Sequence, residues 1–299
     1  MIADPRTGTF VPNMSSDDTS SRSVFVRDAP ALRISTAETA ERAVRDTVSV
    51  VLEAPATIDV QGDVTYTLLC TPDDIQALAA GFLLSEGIVE SLADVAFLRE
   101  CSDDPTVIRV RLRKPIPRLE DAGRNLLIVS SCGLCGVEGL DAKLGALPRV
   151  GDSLRVDSQV LRIVGSRLRD HQPLFRACGG THAAGIFTAS GELVASAEDV
   201  GRHNALDKAI GRCMIALRSP AGCGAVLSGR VSLEMIAKCA RAGIELVSAI
   251  SAPTSLAIEV AERCGITLCA FVRETRATVF THPERVTVPP ASAEVSEPV

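Results

Sequence analysis

From about residue 156 onward, short runs of β-branched and apolar residues alternate with stretches of helical periodicity, and few architectures accept that alternation. The pattern predicts helices over 158–169, 204–217, 233–242 and 255–264, and strands over 183–187, 193–195, 225–227, 246–250 and 267–272. Strands separated by helices of this length predict an α/β fold, layered around a largely parallel sheet, because parallel neighbours need a crossover long enough to hold a helix. A strand over 279–281 closes one edge. Upstream, 48–60 and 64–69 read as strands around the Gly62-Asp63 turn, and Thr71-Pro72-Asp73-Asp74 opens a helix that ends near Gly87. A strand over 107–112 completes a smaller N-terminal α+β portion at 31–122, and one over 126–129 begins the α/β domain at 123–288. Pro115, Pro117 and Gly123 at the junction fit either a linker or a loop within one continuous domain. The stretches 1–30 and 289–299 hold too few large apolar side chains to offset their ordering entropy and read as disordered tails. No internal repeat points to a solenoid.

With 46% hydrophobic and 23% charged residues among 299, the chain has material for one large core or two smaller ones. A formal net charge of −6 argues against broad binding to nucleic acid or an anionic membrane, and leaves local arginine clusters as candidate phosphate sites. The first residues lack a basic segment followed by an apolar core. Apolar runs such as 246–260 are broken by Ser251, Pro253, Thr254 and Glu259, short of the ~18 residues that span a bilayer. A soluble cytoplasmic protein is expected. Ten cysteines without an export signal belong in a reducing compartment, where a close pair is catalytic or metal-binding more often than a staple. Cys70, Cys213, Cys239, Cys264 and Cys269 lie among apolar neighbours and read as small core hydrophobes.

The sharpest chemical signal is Ser130-Ser-Cys-Gly-Leu-Cys-Gly136, between the apolar run 126–129 and the amphipathic stretch 137–144. A thiol where a strand hands over to a helix sits near unpaired backbone N–H groups, which favours the thiolate and makes Cys132 the better nucleophile. Cys135, three residues on, is placed to attack a mixed disulfide or persulfide on Cys132. Half of a structural zinc site and an incidental pair are the competing readings; a tetrahedral site needs two more ligands, and no second CxxC exists. A zinc deaminase pairs His-x-Glu with a downstream Pro-Cys-x-x-Cys; here Ser131 precedes Cys132, and the lone His282-Pro-Glu284 follows the cysteines, so that chemistry is disfavoured.

Two further stretches are informative. In Arg176-Ala-Cys-Gly-Gly-Thr-His-Ala-Ala-Gly185 and Glu198-Asp-Val-Gly-Arg-His-Asn-Ala-Leu-Asp-Lys208, Gly179 and Gly180 allow close backbone approach or simply a turn. Gly201-Arg202-His203-Asn204 suits a phosphate at a helix start, or an ordinary cap with a packed histidine. In Phe271-Val-Arg-Glu-Thr-Arg276, two arginines past the carboxyl end of a parallel strand face the crevice where such sheets bind ligands, unless they are solvated surface charges.

Together with Gly81-Phe-Leu-Leu-Ser-Glu-Gly-Ile88, Ser228-Gly-Arg-Val231, Ala249-Ile-Ser-Ala-Pro-Thr-Ser255 and Thr281-His-Pro-Glu-Arg285, these segments resemble the formate dehydrogenase accessory sulfurtransferase family of FdhD type, over about residues 45–287. The resemblance implies a cytidine-deaminase-like α/β sandwich without zinc or other structural metal. It implies that a cysteine desulfurase loads Cys132 with a persulfide whose sulfur passes to the bis(molybdopterin guanine dinucleotide) molybdenum cofactor destined for formate dehydrogenase. The guanine-nucleotide-bearing cofactor would be held by Phe271, Val272, Arg273, Glu274, Thr275 and Arg276, in a cytoplasmic homodimer. A non-catalytic chaperone that binds and delivers the same cofactor is the other function the motifs allow. Two positions depart from the family: Thr275 stands where glycine is usual, implying a strained or rebuilt turn, and Cys178 stands where threonine is common.

Overall fold

The computed structural model describes residues 25–36, 43–114 and 146–289, together with the backbone of residues 125–128. An antiparallel ribbon of β1 (Val26–Ile34) and β2 (Ala43–Val51) comes first. Then follow β3 (Ala54–Val60), β4 (Val64–Cys70), α1 (Ile75–Ser85), β5 (Val95–Glu100), β6 (Val107–Leu112) and β7 (Asn125–Ile128), whose strands form a sheet in the order β5-β6-β3-β4-β7. Burial alternates strictly along β3 (Ala56, Ile58, Val60) and β4 (Val64, Tyr66, Leu68, Cys70), so this sheet turns one face to the core.

The remainder runs β8 (Val156–Asp157), α2 (Ser158–Asp170), α3 (Pro173–Cys178), β9 (His182–Phe187), β10 (Leu193–Asp199), α4 (Arg202–Ile215), β11 (Gly224–Leu227), α5 (Leu233–Arg241), β12 (Leu246–Ala249), α6 (Ser255–Cys264), β13 (Thr267–Ala270), β14 (Thr278–Thr281) and β15 (Val286–Thr287). Six strands pair in the order β10-β9-β11-β12-β13-β14. Every residue of β11, β12 and β13 is buried, as expected of central strands covered on both faces. Ala184, Ile186, Leu227, Val247 and Leu268 share a core with α4, α5 and α6, whereas Phe187, Val226, Leu246 and Cys269 face Val160, Val164 and Leu168 of α2.

The sheet is mixed, which corrects the largely parallel expectation. Only the pairs β11–β12 and β12–β13 are parallel, while β9, β10 and β14 run antiparallel to their neighbours. The cause is local: β9 and β10 are joined by a hairpin closed by Thr188 N donating to Glu192 O, with Gly191 at φ 78°, too short for a crossover. Three smaller differences follow. The predicted strand at 48–60 breaks at Leu52-Glu53 into β2 and β3. The tail expected through residue 30 gives way at Val26 to a strand paired over its whole length. The short helix α3 carries start and stop signals that were there to be read, Pro173 in the first turn and Gly179 at φ 68° as the cap. The stretch 115–124, where the junction was expected, lies outside the described residues, as do residues 1–24 and 290–299.

The two sheets share a core through α1 and α4. A Cβ on Gly81 would stand 1.8 Å from the carbonyl oxygen of Asp207, and one on Gly211 would stand 1.9 Å from that of Ala77. The two helix backbones therefore touch at reciprocal glycines, which accounts for Gly81 in its motif. On its other side α1 packs against the N-terminal sheet, with Phe82 and Tyr66 in a tilted ring contact at 5.1 Å.

Candidate functional site

The motif Glu198–Lys208 spans the end of β10 and the start of α4, and its acids turn inward. The carboxylate of Asp199 is fully buried and saturated. One oxygen accepts from Gly201 N at 2.8 Å and Asn204 Nδ2 at 3.1 Å; the other accepts from Thr71 N at 3.1 Å and pairs with Lys208 Nζ at 2.6 Å. Lys208 also donates to Thr71 O at 2.9 Å, and Asn204 to Leu69 O at 2.8 Å, so the motif grips the carboxyl end of β4. Glu198 accepts from Leu174 N and Phe175 N, both at 2.8 Å, at the start of α3, and from Thr181 Oγ1 at 2.7 Å. One turn into α4, Asp207 pairs with Lys238 at 2.8 Å, and Lys238 with Glu86 at 2.8 Å, with Ser85 Oγ donating to Asp207. Burial opposes the charge on Lys238, but Asp207 and Glu86 outweigh it and hold the ammonium protonated. Most of this motif is thus a clamp, a role its spacing did not disclose.

Arg202 and His203, in the same stretch, take no part in the clamp. Arg202 Nε and His203 Nε2 are buried without a hydrogen-bond partner among the described residues. Burial, then the charges of Arg202 and Lys238, push His203 down to about 4; burial, then Arg202 and Arg230, lower His182. Both imidazoles are neutral near pH 7.

At the carboxyl ends of β11, β12 and β13, the loops 228–232, 250–254 and 271–276 are laced together. Val231 N donates to Ala252 O at 3.0 Å, Phe271 N to Ser251 O at 3.2 Å and Val272 N to Ala249 O at 3.1 Å. This is the edge where open α/β sheets take ligands. Within 271–276, Arg273 N donates to Arg276 O at 2.7 Å, closing a tight turn. Phe271 takes the left-handed conformation at φ 53°, with its ring 6.3 Å from that of Phe280. Thr275 is not among the positive-φ residues, so threonine is accommodated without left-handed backbone. The two arginines part company. The Arg273 guanidinium donates to the carbonyls of Ile250 and Val272, pinning the loop, while Arg276 is exposed. Glu274 lies 3.8 Å from Arg169.

Cys132 and Cys135 lie outside the described residues, so the loop 271–276 is placed and the thiol pair is not. Among the described residues, no group of three or more His, Cys, Asp or Glu side chains is arranged to hold a metal ion, and no helix is long and apolar enough to cross a membrane. His282, the histidine of the His-x-Glu, is taken up in packing, with Nε2 2.9 Å from Glu262 O and Nδ1 3.3 Å from Glu284 Oε1. The Cys178 thiol donates to Leu174 O at 3.1 Å.

Comparison with known proteins bears on the same segments. The "Sulfur carrier protein FdhD" of Bordetella bronchiseptica is 43% identical over 237 residues, covering 78% of this chain and 86% of that one. The protein of the same name from Saccharolobus solfataricus is 41% identical over 221 residues, covering 73% and 82%. The "Crystal structure of a putative formate dehydrogenase accessory protein from Desulfotalea psychrophila" superposes with a TM-score of 0.71 at 24% identity, covering 88% of this chain and all of that one, which establishes the shared fold. Residues 51–287 match the profile of the FdhD/NarQ family, a span that runs from the ribbon through both sheets to β15, and the chain belongs to that family.

Proposed function

We propose that this chain is a sulfurtransferase, in which Cys132 accepts sulfane sulfur from a cysteine desulfurase as a persulfide and passes it to the bis(molybdopterin guanine dinucleotide) molybdenum cofactor for formate dehydrogenase. The names of the relatives support a role in carrying sulfur. The observation that carries the reading is the condition of the other thiols. Of the eight described cysteines, all free, Cys70, Cys101, Cys213, Cys239, Cys264 and Cys269 are buried. Burial pushes Cys70, Cys213, Cys239 and Cys269 up to about 12. Sulfur exchange needs an accessible thiolate, so these buried residues are unfit to carry it. Cys178 and Cys223 are partly exposed, the first donating its thiol to Leu174 O and the second pushed up by burial, and it is the motif Ser131–Gly136 that assigns the chemistry to Cys132 with Cys135 assisting.

In the loading step the Cys132 thiolate attacks the outer sulfur of the donor persulfide. The donor S–S bond breaks, an S–S bond forms on Cys132, and the donor cysteine leaves as a thiolate, with no net change in oxidation level. Cys132 is the fourth residue past Ile128, at the end of β7, a tether of at most about 14 Å. β7 pairs with β4, whose end is held by Asn204 and Lys208, so the clamp fixes the root of the chain that leads to the nucleophile. In the larger sheet, β13 stands four strands from β10, roughly 19 Å away, and the loop after it, Phe271–Arg276, would hold the guanine-nucleotide end of the cofactor. The mixed sheet with helices on both faces is consistent with a cytidine-deaminase-like sandwich. The exposed Leu32, Ile34 and Val44 of the ribbon offer a surface for the second copy of a cytoplasmic homodimer.

The test is genetic. In a strain lacking its own accessory protein, the wild-type chain should restore formate dehydrogenase activity and Cys132→Ala should not, with Cys135→Ala scored separately. Full activity with Cys132→Ala rejects the relay. Tight guanine-nucleotide binding with unmodified thiols would mark a delivery chaperone instead.

A further inference from the structure

Two arginines of the motifs are left over once the clamp and the loop 271–276 have been accounted for. Arg202 starts α4, and Arg230 follows β11, two strands along the sheet from β10. Between them lies Gly229, buried: a Cβ there would come within 3.3 Å of His182 Nδ1 and 3.4 Å of the Arg202 side chain. Arg202 and His182 therefore flank one glycine, with Arg230 next to it in the chain.

The nearby carboxylates do not neutralise this group. Asp199, the closest acid in sequence to Arg202, is occupied by Gly201, Asn204, Thr71 and Lys208, and Glu198 by Leu174, Phe175 and Thr181. No ion pair to Arg202 or Arg230 forms among the described residues, and the buried Nε of Arg202 lacks an acceptor. A buried guanidinium N–H without a partner is costly, and native structures leave few of them. Ser228 Oγ, 2.9 Å from Ala183 N and 3.5 Å from His182 Nδ1, adds a polar group to the same wall. Lowered imidazole basicity at His182, caused by burial and then by both arginines, agrees with a locally positive potential.

We propose that Arg202 and Arg230, flanking Gly229 with His182 beside them, form a subsite for a phosphate or diphosphate group, distinct from the loop 271–276. It rests on the reading above in one respect, that the natural source of the diphosphate is the nucleotide-bearing cofactor. The spacing suits this division of labour. β11 stands two strands from β13, about 10 Å, a distance a nucleoside bridges when its base is held at one loop and its phosphates at the next. Planar guanidinium forks are the side chains best matched to phosphate oxygens.

The experiment is equilibrium binding of inorganic pyrophosphate, GDP and guanosine to the full chain by calorimetry. Pyrophosphate should bind the wild type and compete with GDP. Arg202→Gln and Arg230→Gln should each weaken pyrophosphate and GDP by about tenfold and leave guanosine unchanged. Arg276→Ala should weaken GDP and guanosine and spare pyrophosphate. Arg230 is exposed, so its replacement does not threaten packing. Wild-type pyrophosphate affinity in Arg230→Gln, or no pyrophosphate binding by the wild type, overturns the subsite. Sulfur loading of Cys132 by a desulfurase is measured on the same preparations. Chain that loads sulfur but ignores pyrophosphate removes the subsite alone; chain that binds pyrophosphate through these arginines but never loads removes the relay alone.

Discussion

Two regions that meet in the segment Glu198–Lys208 behave in opposite ways. On the inside, Asp199, Asp207, Lys208 and their partners Thr71, Ser85 and Lys238 form a closed set of bonds that locks α1 and β4 onto α4. On the rim, Arg202 and Arg230 carry charge that no carboxylate of the described chain answers. The difference teaches that residues crowded into one motif need not share a task. A buried charge left unpaired destabilises strongly, so the inner set is complete in itself; exposed Arg230 is tolerated by solvent, while half-buried Arg202, its Nε without an acceptor, is the cation that a ligand would complete.

The largest expected effect is at the reciprocal glycines. With a carbonyl 1.8 Å from where a Cβ would stand, Gly81→Val should force α1 and α4 apart and leave no cooperative urea transition. Next comes Lys208→Met, which strands the Asp199 carboxylate in the core. It should cost about 3–5 kcal/mol in a urea titration, whereas Arg230→Gln on the rim should stay within about 0.5 kcal/mol of wild type. Comparable losses for the two would erase the distinction between clamp and rim.

A third expectation concerns acid. His203 titrates near 4 in the folded chain, below the ordinary 6.5. Because the folded pKa is the lower one, unfolded chain binds the proton first as pH falls. Its contribution to stability is complete above pH 6.5 and is lost progressively down to about 4. His182 is shifted in the same direction. Unfolding midpoints measured across that window should show the slope, and His203→Gln should flatten it. The smallest effect separates the two arginines of the loop. Arg273→Ala removes the bonds to Ile250 and Val272 carbonyls and should lower stability by about 1 kcal/mol as well as weaken GDP, while Arg276→Ala should weaken GDP without shifting the thermal midpoint.

Legibility followed the range of the interactions. α6 was readable end to end because its signals are local: Thr254 Oγ1 accepts from Ala257 N at 3.2 Å and Gly265 closes the helix at φ 76°. Buried cysteines were readable from apolar neighbours, and the crevice loop from its place after the last long strand. The antiparallel share of the larger sheet was underestimated because helix-spaced strands elsewhere suggested parallel pairing, although the short link through Gly191 makes β9 and β10 a hairpin. The clamp was invisible for a different reason. Asp199 meets Thr71, and Lys238 meets Ser85, across more than a hundred residues of chain, and no spacing rule reaches that far. Phe271 at positive φ was hidden likewise, since expectation placed the strained position at Thr275.

The most direct measurement is intact-protein and peptide mass spectrometry after incubation with a cysteine desulfurase and free cysteine. The expected result is a gain of one sulfur atom, removable by a reductant and mapped to the peptide carrying Cys132, with Cys70, Cys213, Cys239 and Cys269 unmodified. Sulfur found on one of those buried thiols, or no gain on Cys132 while the desulfurase turns over, would contradict it.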